Sequence, residues 1–297
     1  MKKGLVYILL TALIFTTLEP VSKLIAAQVD PFAITFLRFF VGGLILLPFS
    51  FMAIKKKNIR MNAKDIGILS ALGVLCICIS MPLLQYAVRQ AESPALIAIV
   101  FSANSVFTIL LSTVFLKEKI TLMKIFAILL CFAGVLICTD FSSGNHLSSI
   151  LLALAAALTF SLYTVLSKKF MTKITGIIQT GFSFLIGSAV LLVGLLFMNI
   201  PILASVNGDT IFHLLYLGIV VTGIGYWSYF RAMDKASAMA ASLVFFIKPI
   251  LTPFATFFFN DIRPDIKVFA ALILVLAGSY LATAANGNRL FGKKASK

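Results

Sequence analysis

The chain has 297 residues, of which 61% are hydrophobic and 12% charged, with a mean hydropathy of +1.07 and a net charge of +15. Soluble domains carry about 25% charged residues, so a globule of this composition could not cover its surface with polar groups and needs a bilayer as solvent. The basic residues fall in short clusters between apolar runs, which is the positive-inside pattern of membrane proteins and not the continuous basic face of a nucleic-acid binder.

Read against the length needed to cross a bilayer, the apolar runs predict ten transmembrane helices. They cover about 4–26, 31–53, 66–87, 94–116, 122–140, 148–169, 174–198, 210–231, 238–259 and 266–285. The first run follows Lys2 and Lys3 as a signal peptide would, with Ala26-Ala27 in the place of a cleavage site. It is long enough to span, however, and Glu19-Pro20 does not suit a disposable apolar core, so the run is expected to be retained. Pro31, Pro94 and Pro264 suit helix starts or connections. The polar stretch Asn199–Thr210 is the longest predicted outer loop.

The orientation follows from the basic residues. With the N-terminus cytoplasmic, 19 of the 25 fall on the cytoplasmic side, three (Arg89, Arg263 and Lys267) on the outer side, and Lys23, Arg38 and Lys248 within spans. That bias places both termini in the cytoplasm of a cell (inner or plasma) membrane protein. Cys76, Cys78, Cys131 and Cys138 all lie in apolar runs without C-x-x-C spacing and read as packing residues. His146 and His213 are far apart, so neither a metal site nor any other cofactor is expected.

Helices 3–5 and 8–10 align at an offset of 144 residues without a gap. Ser93 falls on Ser237, Phe101 on Phe245, Thr108 on Thr252, Phe115 on Phe259, and Ala133-Gly134 on Ala277-Gly278. Five spans per half is an odd number, so the second half must sit upside down relative to the first, which is the device by which secondary transporters alternate access to a midplane site.

These residues carry a family resemblance over nearly the whole chain. Phe36-Leu37-Arg38-Phe39, Tyr86-Ala87, Ser93-Pro94-Ala95, Phe115-Leu116-Lys117-Glu118 and Ala133-Gly134-Val135 recur in the order of the EamA family of the drug/metabolite transporter superfamily. Ala232, Ser237, Lys248-Pro249 and Ala277-Gly278 echo the scheme in the second half. The chain departs from it where Glu118 aligns with Ile262, Asp261 lying one residue earlier. The resemblance implies an all-α membrane fold of two inverted five-helix repeats, 1–141 and 146–288, with a basic cytoplasmic tail at 289–297. It also implies a central cavity lined mainly by helices 1, 3, 4, 6, 8 and 9, and export of amino acids or other small metabolites.

Charges inside a span cost about 2.5–3.5 kcal/mol each on insertion scales and are the first functional candidates. Lys248 lies at the middle of helix 9, and Glu19 about four residues, or roughly 6 Å, from the middle of helix 1. Together they could hold a zwitterion, and in contact they would neutralise each other and titrate as a pair. Glu19 is also the natural carrier of a coupling proton. Pro20 and Pro249 follow them directly and free the carbonyls of Thr16 and Phe245, as Pro253 frees that of Pro249. Asn104 aligns with Lys248 and reads either as a second polar group of one cavity or as interhelical glue. Gln85, Tyr86, Tyr163, Trp227 and Tyr229 could stack on or bond a substrate, though most such residues pack. Arg38, two turns into helix 2, is expected to reach the headgroups in a structural or gating role, and Lys23 to snorkel outward.

The function expected is a secondary transporter, an exporter of small polar metabolites such as amino acids, working by alternating access as a monomer in the lipid bilayer. It is not an enzyme, because its few acids and histidines form no cluster. No G-x-x-x-x-G-K-[ST] loop supplies energy from nucleotide, so protons or the solute gradient must. A flippase for a lipid or lipid-linked substrate and a drug or organic-cation efflux protein are the alternatives. A channel is disfavoured by the absence of repeated charged rings.

Overall fold

The structure is a computed structural model that describes residues 2–117, 121–138, 144–170, 173–202, 207–235 and 244–291. Glu118 and Ser237, used in the resemblance and the repeat, lie outside the described residues, as does the tail beyond 291. All regular structure among the described residues is helical. The segments are α1 (Gly4–Ile25), α2 (Pro31–Lys57), α3 (Ala63–Gln90), α4 (Pro94–Phe115), α5 (Leu122–Cys138), α6 (Gly144–Phe170), α7 (Gly176–Phe197), α8 (Gly208–Met233), α9 (Val244–Asn260) and α10 (Ile266–Phe291).

Seven of these, α1–α4 and α6–α8, are long and apolar enough to cross a membrane; α5 and α10 carry shorter apolar stretches. Large apolar side chains cover the outer surface, with Phe197 83% and Phe258 82% exposed and Leu129, Phe132 and Ile273 exposed beside them. Such continuous apolar surface is stable only against lipid.

Local chemistry sets the helix limits. Asp30 caps α2 by accepting from Phe32 N at 2.8 Å, with Pro31 at the first helical position. Asn62 and Asp65 form a capping box that starts α3 three residues before the apolar run predicts. At the other end of that link α2 continues through Lys55–Lys57, good helix formers, until Asn58 stops it in the left-handed region (φ 48°).

The two halves repeat in backbone detail as well as in sequence. α3 and α8 each contain a π-helical stretch, Val74–Ser80 and Tyr216–Ile224, and residues 74–80 map onto 218–224 under the 144-residue offset. Lys117 (φ 56°) and Asp261 (φ 53°), again 144 apart, leave α4 and α9 in the same left-handed conformation. The sequence match is weakest at that point, yet the backbone is preserved.

α5 packs on α10 reciprocally. A Cβ on Gly134 would meet Ala271 O at 3.0 Å, one on Gly278 would meet Ala127 O at 2.7 Å, and each pair swaps under the offset. Contacts of the form i to j′ and j to i′ are the signature of a two-fold axis.

The closest backbone approaches are at glycines. A Cβ on Gly73 of α3 would lie 2.4 Å from Ser183 O of α7, and one on Gly187 would lie 2.6 Å from Gly73 O. α2 and α8 meet likewise, Gly42 facing Thr222 and Gly218 facing Val41. Small residues let helices approach in a solvent that offers no hydrophobic drive between them. Gly187→Val should therefore lower stability by about 1–3 kcal/mol or more, read as a lower unfolding temperature in detergent. Gly67→Ala, where a Cβ meets nothing within 4 Å, should leave it unchanged or raise it by up to ~1 kcal/mol.

Candidate functional site

α1 is interrupted at Thr17, one residue before Leu18 restarts the helix and two before Glu19. The break is where Pro20 withholds a backbone donor. It sets Glu19 at 0% exposure against α9, where Lys248 Nζ donates to Glu19 Oε1 at 2.5 Å. Lys248 itself is 9% exposed and precedes Pro249, and Thr252 Oγ1 donates to its carbonyl at 2.8 Å. Glu19 Oε2 has no partner among the described residues.

Lys248 lines a cavity of about 480 Å³. At mid-depth the walls are Arg38, Met81, Leu84 and Lys248, and from there the lining runs through Phe160, Tyr163, Tyr226 and Tyr229 to Ser167, Gly176 and Met233. Those last residues lie at the end of the bundle that also carries the chain's N-terminus. At the other end, where the lining does not extend, hydrogen bonds join the helices. Lys23 Nζ donates to Arg89 O (3.0 Å) and Ala91 O (2.5 Å), Thr210 Oγ1 to Gln28 Oε1 (2.8 Å), and Asn260 Nδ2 to Pro20 O (3.3 Å). The helices named from the resemblance all contribute to the lining, and α2 and α7 join them.

Asn104 lines the cavity where α4 is broken at Ser102–Ala103, and its carbonyl accepts from Ser161 Oγ at 2.7 Å. It thus shares one cavity with Lys248, its counterpart under the repeat. Tyr163 and Tyr229 line it as well.

Three other candidates do not reach it. Gln85 turns from the cavity to α1, its Nε2 donating to Ser22 Oγ at 3.3 Å. Tyr86 stacks edge-on with Phe32 at 5.6 Å near the closed end. Trp227 packs between Tyr7 (5.8 Å) and Phe49 (5.9 Å), under Arg231 at 5.5 Å. The cause is helical phase. Tyr226, Tyr229 and Phe230 are spaced i, i+3, i+4 and share the cavity face, whereas Trp227, one residue from Tyr226, is rotated about 100° away.

Arg38 overturns the expectation of headgroup contact. It is 2% exposed and lines the cavity, with Nε donating to Thr222 Oγ1 at 2.9 Å and the guanidinium 4.6 Å from the Phe39 ring centroid. Depth along a helix gives the distance to the interface, not the direction a side chain faces. Gln179 and Thr180 are cavity residues that sequence reasoning missed; Gln179 Nε2 donates to Ser167 Oγ at 2.6 Å. A glutamine one turn inside an apolar span was the available signal.

A helical bundle with a lipid-suited exterior and an internal cavity lined mostly by aromatic and aliphatic side chains, with a few polar groups among them, is the architecture of a polytopic membrane protein with room for a small solute. The comparisons agree with this class. The EamA-like transporter family model matches the chain twice, over residues 2–139 and 147–284. A transporter of Clostridium kluyveri that is described only as uncharacterized is 34% identical over 96% of this chain and 94% of its own. An S-adenosylmethionine uptake transporter of Rickettsia bellii is 22% identical over 94% of this chain and 92% of its own. A solved crystal structure shares the fold at 19% identity, with a TM-score of 0.63, covering 98% of this chain and 100% of that one. The chain belongs to the EamA-like transporter family and is a multi-pass membrane transporter.

Removing one partner of the buried pair leaves the other charge without compensation. Lys248→Met alone should destabilise by about 3–5 kcal/mol and Glu19→Gln alone by a similar amount, while the two combined should cost far less than their sum. A double-mutant cycle on thermal unfolding in detergent checks this; additive losses would show that the two groups do not act as a pair.

Proposed function

We propose that this chain is an alternating-access secondary carrier that exports small polar metabolites such as amino acids across the cell membrane. In this reading all ten helices span as two inverted five-helix repeats, about 1–141 and 146–288, both termini are cytoplasmic, and the monomer is the working unit. The observation that carries it is the placement of the cavity, whose lining runs from Lys248 toward the N-terminal end while hydrogen bonds of Lys23, Gln28 and Asn260 join the helices at the opposite end. With the positive-inside orientation, that cavity faces the cytoplasm, the side from which an exporter loads.

The pair is the natural coupling element. In one state Lys248 holds Glu19 as a salt bridge; a substrate or proton that reaches either partner competes for the other. Backbone features shared by the halves, the π-helical stretches and the left-handed exits of α4 and α9, give the two arrangements an exchange needs. The organic-cation alternative is weaker here. Arg38 and Lys248 on the wall repel a cation, and no acidic residue lines the cavity among the described residues, Glu19 being held behind Lys248.

In proteoliposomes, Glu19→Gln should abolish proton-driven flux in the fraction that still folds and binds solute, stability being lowered by the broken pair; undiminished proton-driven flux in that variant would remove Glu19 from the mechanism. In right-side-out membranes Met233→Cys should react only with thiol reagents supplied from the cytoplasmic side until substrate cycling begins. Reaction from the outside alone would reverse the assigned orientation. Oriented vesicles also decide direction, which matters because the Rickettsia bellii relative carries the name of an uptake transporter.

A further inference from the structure

We propose that Arg38 is the anchor for an anionic group of the substrate, and that the substrate is a carboxylate with an apolar or aromatic body. The proposal rests on the carrier reading and narrows its solute.

The geometry is built from α2 and α8 upward. Gly42 lets α8 approach so closely that a Cβ there would lie 2.4 Å from Thr222. Thr222 sits in the π-helical stretch and donates its hydroxyl proton to Leu217 O, five residues back, at 2.9 Å. Its oxygen is thereby turned outward as an acceptor, and Arg38 Nε donates to it at 2.9 Å. Phe39 holds the face of the guanidinium at 4.6 Å. With Nε and one face fixed, the fork has little freedom left. Nη1 is buried with no partner among the described residues, and the residue is 2% exposed and lines the cavity.

Charge then selects the ligand. Glu19 and Lys248 neutralise each other, no acidic residue lines the cavity among the described residues, and Arg38 leaves the site with a net charge of one positive unit. A planar fork of N–H donors matches a carboxylate bidentately, and a desolvated guanidinium without a counter-ion gains most from one that arrives with the solute. One charge suits a monoanion better than a doubly charged phosphate. Phe101, Phe160, Tyr163, Tyr226 and Tyr229 surround the space with aromatic surface, so the rest of the solute must be apolar or aromatic.

The test uses the full-length protein in nanodiscs and calorimetry with three probes of one body: 3-phenylpropionate, 3-phenylpropanol and 3-phenylpropylamine. Inorganic phosphate is a fourth. The carboxylate should bind at least about tenfold more tightly than the alcohol or amine, and Arg38→Gln should weaken it about 10- to 100-fold, the scale of a charge-assisted hydrogen bond. Arg38→Lys should recover part of the loss, and Thr222→Val should weaken binding several-fold. Equal binding of the alcohol or amine, phosphate bound in preference, full affinity in Arg38→Gln, or no binding of the carboxylate by the folded wild type would each overturn the anchor. Should Arg38→Gln fail to fold, the wild-type probe series decides alone. The two readings fail separately. A neutral solute that crosses proteoliposomes sinks the anchor and spares the carrier; a carboxylate that binds through Arg38 but never crosses does the reverse.

Discussion

A carboxylate and an ammonium are held at 2.5 Å near the middle of a bilayer-sized bundle, and the rest of the site is arranged around that contact. Neither charge could be there alone, since an unpaired ion at that depth would favour neutralisation or exclusion of its helix from the membrane. The pair thus fixes α1 against α9, the two helices in which proline follows the ion directly. Proline matters because it loosens the backbone where two charges must meet. In α1 the helix breaks at Thr17, and Glu19 turns toward α9 without the rest of α1 having to move. Oε2 of Glu19 has no partner among the described residues, so the carboxylate has capacity that the pair does not use.

Around this contact the packing is set by small residues and not by bulk. Gly73 and Gly187 bring α3 and α7 into backbone contact, Gly134 and Gly278 bring each of α5 and α10 close to a carbonyl of the other, and Gly42 and Gly218 seat the small side chains Thr222 and Val41 between α2 and α8. The helix pairs are related by the same two-fold operation that maps one π-helical stretch on the other. Backbone-to-backbone contacts of this kind have little side-chain interlock to break, so helices can slide or rock across them at low cost. The tight seams and the ion pair complement one another: the first permits movement, and the second selects which arrangement holds.

Much of this was readable in the sequence. Run lengths and the repeat gave the helix order because a span must hide every backbone group, leaving few alternatives. Glu19 and Lys248 stand out because ions within a span are costly, but their contact is one possibility among several until the two helices are seen side by side. What escaped was rotation. A residue's depth follows from counting, but its azimuth depends on which neighbours pack on the helix. Trp227 and Tyr229 are two apart, so they differ by about 200° around a helix and cannot both face one cavity, yet composition alone does not say which one does. The same gap hid Arg38, whose depth allowed an outward reach while Gly42 and Thr222 turned it inward. Gln179 escaped for a different reason: a lone amide near a helix end resembles ordinary interface polarity until its partners Ser167 and Tyr163 are seen.

The two buried cations therefore have different electrostatic standing, and this difference bears on how such a carrier can couple and select at once. Lys248 is compensated within the chain, so its charge can be uncovered only by an event that moves or protonates Glu19. Arg38 is in direct contact with no carboxylate among the described residues, Glu19 acting on it only from beyond hydrogen-bond distance; a hydroxyl and an aromatic face hold it instead. A guanidinium is less strongly hydrated than an ammonium, which is why it tolerates that environment where a lysine would need a counter-ion. One cation is suited to respond to a change of state and the other to remain charged throughout it. Placing both on one cavity wall separates the group that can switch from the group that can recognise.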